Sequence, residues 1–261
     1  MISASPSRIG TFTECPFKYQ LEYIDKIELK EDKGEALRFG SFIHKVMELL
    51  VKSLRSTGKP KDPQFVNDNF GWLADAHKLN DEARMRARGM LAIFLSKDID
   101  VTKVAEIEAL VGEEFPKIED VKVWGRFDRV DFPAEGMVEV VDYKTGRTPE
   151  EEDLKHDLQY VFYSWMVQKK YPEKKARIRW FFLESSKEIV FDAMPIEQAE
   201  VIMEGAIMPM ISAKEFPKMR NKYCKYCGYL KEGHCDMNLH TRIEKKEEAV
   251  NVLPADTKTG S

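Results

Sequence analysis

The stretch that most limits what this chain can fold into is "VEVVDYKTGRTP", residues 138–149. It begins as a β-branched, mostly apolar run, the composition of a buried strand. It then sets Asp142, Tyr143 and Lys144 in succession and stops at Thr145-Gly146. A carboxylate and an ammonium are among the groups most costly to bury, so a core strand that ends on them needs partners supplied by the rest of the fold. Side chains alternate along a strand, which puts Asp142 and Lys144 on one face about 7 Å apart and turns Tyr143 to the other.

The hydrophobic period changes on the way to this strand. Ser5 or Ser7 caps a first short helix, and Pro16 suits the first turn of a second that runs to about Ile24. From Glu35 to about Ser56, Phe39, Ile43, Val46, Met47, Leu50 and Leu54 recur at helical spacing. Two further helical patterns cover roughly 64–78 and 81–97, the second with Arg84 and Arg88 on one face. After about residue 100 the runs "AEIEALVGEEF", "VKVWGRFDRVDF" and "MVEVVDYKT" read as strands. A helix at about 150–170, strands in "ARIRWFFLES" and "KEIVFDAM", and a helix from about Ile196 to Ala213 follow. The order predicts an α/β (α+β) architecture: a mixed central sheet flanked by helices, with a helical region in front. The boundaries that follow are 1–57 for the N-terminal helices, 58–100 for a helical insertion, 101–213 for the core, 214–240 for a cysteine-rich segment and 241–261 for a polar, disordered tail.

A chain of 261 residues, 43% of them hydrophobic, can bury one sizeable core. The formal charge of −4 gives no global basic field, so contact with nucleic acid must come from local patches or a metal ion. The amino terminus has neither a basic n-region nor an apolar h-region, and no run approaches the ~20 apolar residues of a membrane span. The expected location is therefore cytoplasmic.

One strand before Asp142, Asp128 closes the run "WGRFD" and can approach Asp142 across a hairpin. Two neighbouring carboxylates repel unless a cation lies between them, and hard divalent ions prefer oxygen. Such an ion makes a bound water more acidic and offsets charge on phosphate oxygens, which suits phosphodiester hydrolysis. Lys144 beside that water can orient the nucleophile or stabilise the transition state. The D-x-K pattern alone is weak, since a strand end with Asp and Lys is ordinarily an exposed ion pair.

Four ordered motifs strengthen it. "GSFIHKVME", "GRFDRVD", "VVDYKTG" and "LQYVFYSWM" together resemble the PD-(D/E)XK nuclease superfamily, specifically its RecB-type exonuclease branch. The resemblance implies a restriction-endonuclease-like fold. It also implies that His44, Asp128, Asp142 and the backbone carbonyl of Tyr143 bind Mn²⁺ or Mg²⁺, with Lys144 as the catalytic lysine. Gln159 and Tyr163, one helical turn apart, would match its Q-x-x-x-Y motif. Gln159 can hold a phosphate or brace Lys144, and Tyr163 can pack in the core or touch substrate. Glu113 or Glu114 in "VGEEF" can supply the acidic residue that the family often adds upstream.

Cys15, Cys224, Cys227 and Cys235 are one thiol plus a tight three, a division that suits metal ligation better than disulfides in a reducing compartment. Their spacing alone leaves zinc and an iron–sulfur cluster both open. A subset of the RecB-type branch, including the AddB subunit of bacterial helicase–nucleases and the CRISPR-associated nucleases of spacer acquisition, places four such cysteines around a 4Fe–4S cluster that joins the two ends of the chain. That resemblance favours the cluster here. The seven residues between Cys227 and Cys235 depart from the usual five, which keeps Zn²⁺ and His234 as alternatives.

Around these cysteines, Lys218, Arg220, Lys222 and Lys225 interleave with Tyr223, Tyr226 and Tyr229. Lys222 and Tyr226 in particular suit single-stranded nucleic acid, although the rings can equally shield the metal. Arg84 and Arg88 can line the same path or face solvent. The resemblance implies a metal-dependent DNA exonuclease acting on duplex ends or single strands in recombination, repair or phage DNA processing. An adaptation nuclease that trims spacer precursors and a non-catalytic DNA-binding or assembly subunit are the alternatives. No G-x-x-x-x-G-K-[ST] run is present, so the chain cannot use ATP through a P-loop of its own; it would work alone, on ends made by another enzyme, or beside a helicase, recombinase or integrase.

Overall fold

Both periods emerge as read, and each builds one layer. The computed structural model describes residues 2–30, 34–57, 63–97 and 99–237, with the side chains of 57 and 63–68 excepted. The expected tail at 241–261 lies outside the described residues. The chain opens on a short strand, β1 (Ile2–Ala4), which no periodicity announced because three residues carry none. Helices α1 (Pro6–Glu14) and α2 (Pro16–Tyr19, continued as a π turn through Ile24) follow. Ser5 is the first N-cap, accepting from the Arg8 amide at 3.2 Å. Then come α3 (Glu35–Thr57), α4 (Pro63–Ala76) and α5 (Asp81–Leu95).

Strands β2 (Val104–Glu114), β3 (Val121–Asp131) and β4 (Met137–Lys144) form the meander that carries the carboxylates. The helix read at 150–170 is two: α6 (Glu151–Lys155) and α7 (Leu158–Lys170). Asp157 separates them by capping α7, its carboxylate accepting from the Gln159 amide at 2.7 Å. β5 (Lys175–Phe182), β6 (Lys187–Asp192), α8 (Ile196–Ser212) and α9 (Gly228–Lys231) complete the described elements.

The sheet runs β1-β3-β4-β5-β6, with β2 on β3. β1 pairs parallel with residues 121–123 of β3, and β4 pairs antiparallel with residues 129–131. β2 occupies the length of the opposite edge, from Lys122 to Asp131. β1 and β4 must therefore share one edge of β3, and residues 124–128 of that edge meet no strand. Asp128 stands at the mouth of this gap.

Alternation along β4 separates two cores. Val138 and Val140 join α1, α7 and α8 in one, around Trp165, Phe162 and Phe127. Val141 and Tyr143 join α3, α4 and α5 in the other, around Phe42, Met47, Met90 and Phe94. Helices α4 and α5, which fall in the segment read as a helical insertion, pack with α3 in this second layer. The two ends of the chain also meet: the Phe17 amide donates to the Pro217 carbonyl, and the Asn221 side chain donates to that of Glu14 at 2.9 Å.

Across the sheet a row of register partners is charged: Asp131 opposite Glu139, Glu139 opposite Arg177, and Arg177 opposite Asp192. Glu139 is buried and lies 2.7 Å from both Arg177 and Arg179. Its Oε2 atom meets Arg177 as an ion pair without directed hydrogen-bond geometry. Removing one partner of a buried pair strands the others. Glu139→Ala is therefore expected to lower stability by about 2–3 kcal/mol, below the full cost of a buried pair because the arginines keep water contact. A fall in the urea midpoint at constant slope would show it.

Candidate active site

Three elements converge at the gap beside β3. His44 comes from the middle of α3, Asp128 from β3, and Asp142 and Lys144 from the end of β4. The His44 Nδ1 atom lies 3.0 Å from Asp128 Oδ1. Asp128 Oδ2 accepts the Tyr143 amide at 2.8 Å, taking the place a strand partner would otherwise fill. The N–H and C=O of one strand residue face the same edge, so the Tyr143 carbonyl opens into the same gap. Lys144 confirms the alternation, since its carbonyl accepts from the Leu183 amide on the β5 side at 2.9 Å.

Asp142 is almost wholly buried, at 3% exposure, and is surrounded by partners. Its Oδ1 accepts from Gln159 Nε2 at 2.9 Å and lies 3.1 Å from the Tyr163 hydroxyl. Its Oδ2 lies 2.8 Å from Lys144 Nζ, as an ion pair without directed hydrogen-bond geometry. The lysine in turn donates to Gln159 Oε1 at 2.5 Å. Gln159 thus bonds to both members of the D-x-K pair. Tyr163 is buried, packs on Phe127 and can also donate to the Arg126 carbonyl at 3.0 Å. It holds Asp142 from the core side. Both reach the gap only through Asp142 and Lys144.

The Tyr143 ring points into the other core between Phe94 and Phe181, where Arg129 donates to its hydroxyl at 2.9 Å. Burial pushes the Asp142 carboxyl up, against the pull of Lys144 and with the charge of Asp128 adding to the rise. Burial alone would lower the His44 imidazole, but the hydrogen bond and charge of Asp128 outweigh it and raise its pKa.

A further carboxylate belongs to this group. Glu108 falls opposite Asp128 in the β2–β3 register, between the pairs Ile107–Arg129 and Ala109–Phe127. Its φ of 54° is left-handed, which interrupts the ladder at this level. It pairs with Arg126 at 3.0 Å. Burial raises its carboxyl, Arg126 opposes the rise, and the charges of Asp128 and Glu48 add to it. Glu113 and Glu114, expected to fill this role, lie opposite Val123 and Lys122. They are about 17 and 20 Å farther along the strand at ~3.3 Å per residue.

The arginines singled out on α5 pack within the helical layer. Arg84 pairs with Asp75 at 2.5 Å and donates to the Leu79 carbonyl, and Arg88 lies over the Phe70 ring. Arg86, between them, reaches the site instead. It donates to the Thr145 carbonyl at 2.7 Å, pairs with Glu184 and rests on Phe39. No periodic signal distinguished it from its neighbours.

All four cysteines line one cleft, with Phe17, Leu21, Met219 and Tyr229 among its walls. The thiols are free and partly buried. His234 packs on Tyr229 and lies near Glu232, outside the lining of that cleft. Lys222 lies over Tyr223, and Tyr226 is 70% exposed under Lys225.

The chain belongs to the PD-(D/E)XK nuclease superfamily, whose family model matches residues 3–231. It is similar to an ATP-dependent helicase/deoxyribonuclease subunit from Streptococcus uberis, with 25% identity over 155 residues, 56% of this chain and 14% of that protein. The protein of the same name from Clostridioides difficile is 26% identical over 181 residues, 55% of this chain and 15% of its own length. The chain therefore spans only about a seventh of these relatives. A solved structure, that of SSO0001, covers 75% of this chain and 93% of its own at 15% identity, with a TM-score of 0.37.

The donor set fits a hard divalent ion: two carboxylates, one imidazole and one main-chain carbonyl, with buried Asp142 Oδ2 carrying no directed hydrogen bond. Among the described residues, no three acidic, thiol or imidazole side chains form a closed metal shell as they stand. Asp128 and Asp142 are instead turned onto the protein donors named above. A cation bound between Asp128 and Asp142 would offset the repulsion of the two carboxylates. Mn²⁺ at about 100 times its Kd is expected to add ~2.7 kcal/mol to wild-type stability. Asp142→Asn should gain little from the ion, as paired thermal melts would show.

Proposed function

We propose that the protein is a metal-dependent deoxyribonuclease that hydrolyses phosphodiester bonds exonucleolytically, at DNA ends or in single strands. The observation that carries this reading is the convergence of His44, Asp128, Asp142 and Lys144 from three separate elements onto one gap in the sheet. His44, the two aspartates and the Tyr143 carbonyl would hold Mn²⁺ or Mg²⁺. When bound, the ion supplies a more acidic water and neutralises charge at the phosphate.

The chain's own residues do the rest. Lys144, partly exposed beside Asp142, presents the N–H donors left over from Gln159 to the attacking water and the phosphate oxygens. Gln159 and Tyr163 keep Asp142 and Lys144 from turning away. Arg86 and α3 close on Thr145, just past the lysine, and fix where β4 ends. Both relatives are named helicase/deoxyribonuclease subunits, which supports DNA as substrate and a helicase as working partner; a recombinase or an integrase is the alternative partner. No described helix is long and apolar enough to cross a membrane.

Cleavage of end-labelled single-stranded DNA with Mn²⁺ tests the reading. Lys144→Ala and Asp142→Ala are each expected to lower the rate by at least ~10²-fold. Unchanged rates in both would sink the nuclease assignment. DNA binding with no cleavage by wild type would identify a non-catalytic subunit, and genomic neighbours would separate a repair or phage enzyme from an adaptation nuclease.

Cys15, Cys224, Cys227 and Cys235 would hold a 4Fe–4S cluster, with Zn²⁺ as the alternative. Support comes from the single cleft that all four line, one of them from the opposite end of the chain. The cluster's role would be structural. A clip closing so long a loop contributes ~5 kcal/mol in the chain-entropy account. Cys227→Ala should yield colourless protein that melts about 10 °C lower or more. Elemental analysis of anaerobically purified wild type would show iron, or zinc if the alternative holds.

A further inference from the structure

We propose that the solvent-facing side of the β2–β3 hairpin is the track for a single DNA strand, with the Trp124 indole as its base-stacking platform. The proposal rests on the nuclease reading and deepens it by naming where the substrate lies.

Up to Phe127, the odd-numbered residues of β3 sink into the core: Val121, Val123 and Phe127 are buried there. Lys122, Trp124 and Arg126 therefore face the opposite side, with Leu110, Gly112 and Glu114 as their partners on β2. Among the described residues, nothing covers that side at this end of the sheet. Leu110 is 66% exposed, and the Arg126 side chain 65%. Trp124 is half-buried because it leans across Gly112. A Cβ at position 112 would lie 2.3 Å from Trp124 Cζ3, so the ring fills the space that only glycine leaves. Lys122 Nζ stands 4.4 Å from the indole centroid.

A large aromatic ring seated on the wet side of a sheet contributes little to the core, but it offers a π-face. Stacking of a base on such a ring tolerates any sequence and is a main source of single-strand affinity. The track is continuous with the candidate active site. Asp128 lies four residues beyond Trp124 on the same strand, about 13 Å at ~3.3 Å per residue. Arg126 stands between them, and its partner Glu108 lies near enough to Asp128 and His44 to feel their charge. That distance is about four stacked nucleotides at ~3.4 Å each. Lys122 and Arg126 supply the positive charge along it. Glu108 and Glu114 partly offset them, which makes stacking, more than phosphate attraction, the main contact.

Binding of fluorescent oligo(dT) without divalent ion, followed by cleavage with Mn²⁺, tests the proposal. Trp124→Phe keeps an aromatic face and should bind within about twofold of wild type. Trp124→Leu still covers Gly112 but cannot stack. It should weaken binding about tenfold, ~1.4 kcal/mol, and raise KM far more than it lowers kcat. Trp72→Leu, at an exposed indole on α4 outside the site, should change neither. Wild-type affinity and KM in Trp124→Leu would overturn the track, reducing the indole to a cover for Gly112, while leaving the nuclease reading untouched. Trp124-dependent binding without any Mn²⁺-dependent cleavage would keep the track and overturn the nuclease reading instead.

Discussion

The structure is organised around one costly act, the burial of the Asp142 carboxylate in the middle of a six-stranded sheet. A lone buried charge is tolerated only if it is paired and hydrogen-bonded. Lys144 supplies the countercharge from two residues along the same strand, and α7 supplies Gln159 and Tyr163. Because Gln159 grips carboxylate and ammonium together, neither can change rotamer alone. The second carboxylate is held differently. Asp128 substitutes for a missing strand, accepting the Tyr143 amide on one oxygen and facing His44 with the other.

That substitution is possible because β1 and β4 share the same edge of β3 and leave residues 124–128 between them. A continuous ladder would have satisfied the Tyr143 amide with a carbonyl and shut the site. The three residues of β1 therefore help to define the gap, although they touch none of the candidate catalytic groups. Above the gap, α3 carries His44 across the second core, and α5 reaches back through Arg86 to the end of β4. The helices ahead of the sheet are thus part of the site's frame. The cysteine cleft draws the C-terminal segment onto α1 and α2, so both ends of the chain bear on the same body.

Much of this was legible in the sequence because it depends on local period and local spacing. Helical spacing placed His44 within α3, and strand alternation put Asp142 and Lys144 on one face with Tyr143 on the other. Gln159 and Tyr163, one helical turn apart, had to share a side of α7. Tertiary structure decided what depends on pairing between distant segments. Strand register chose Glu108 over Glu113 and Glu114, which a sequence with four acidic residues in one strand leaves equivalent. Packing against Phe39 and Thr145 chose Arg86, while Arg84 and Arg88 turned to their own helical layer. Period and propensity act over a few residues and are written in the chain itself; which edge a strand shares and which side chain then faces the gap are set by contacts between remote segments, and those exist only once the chain has folded.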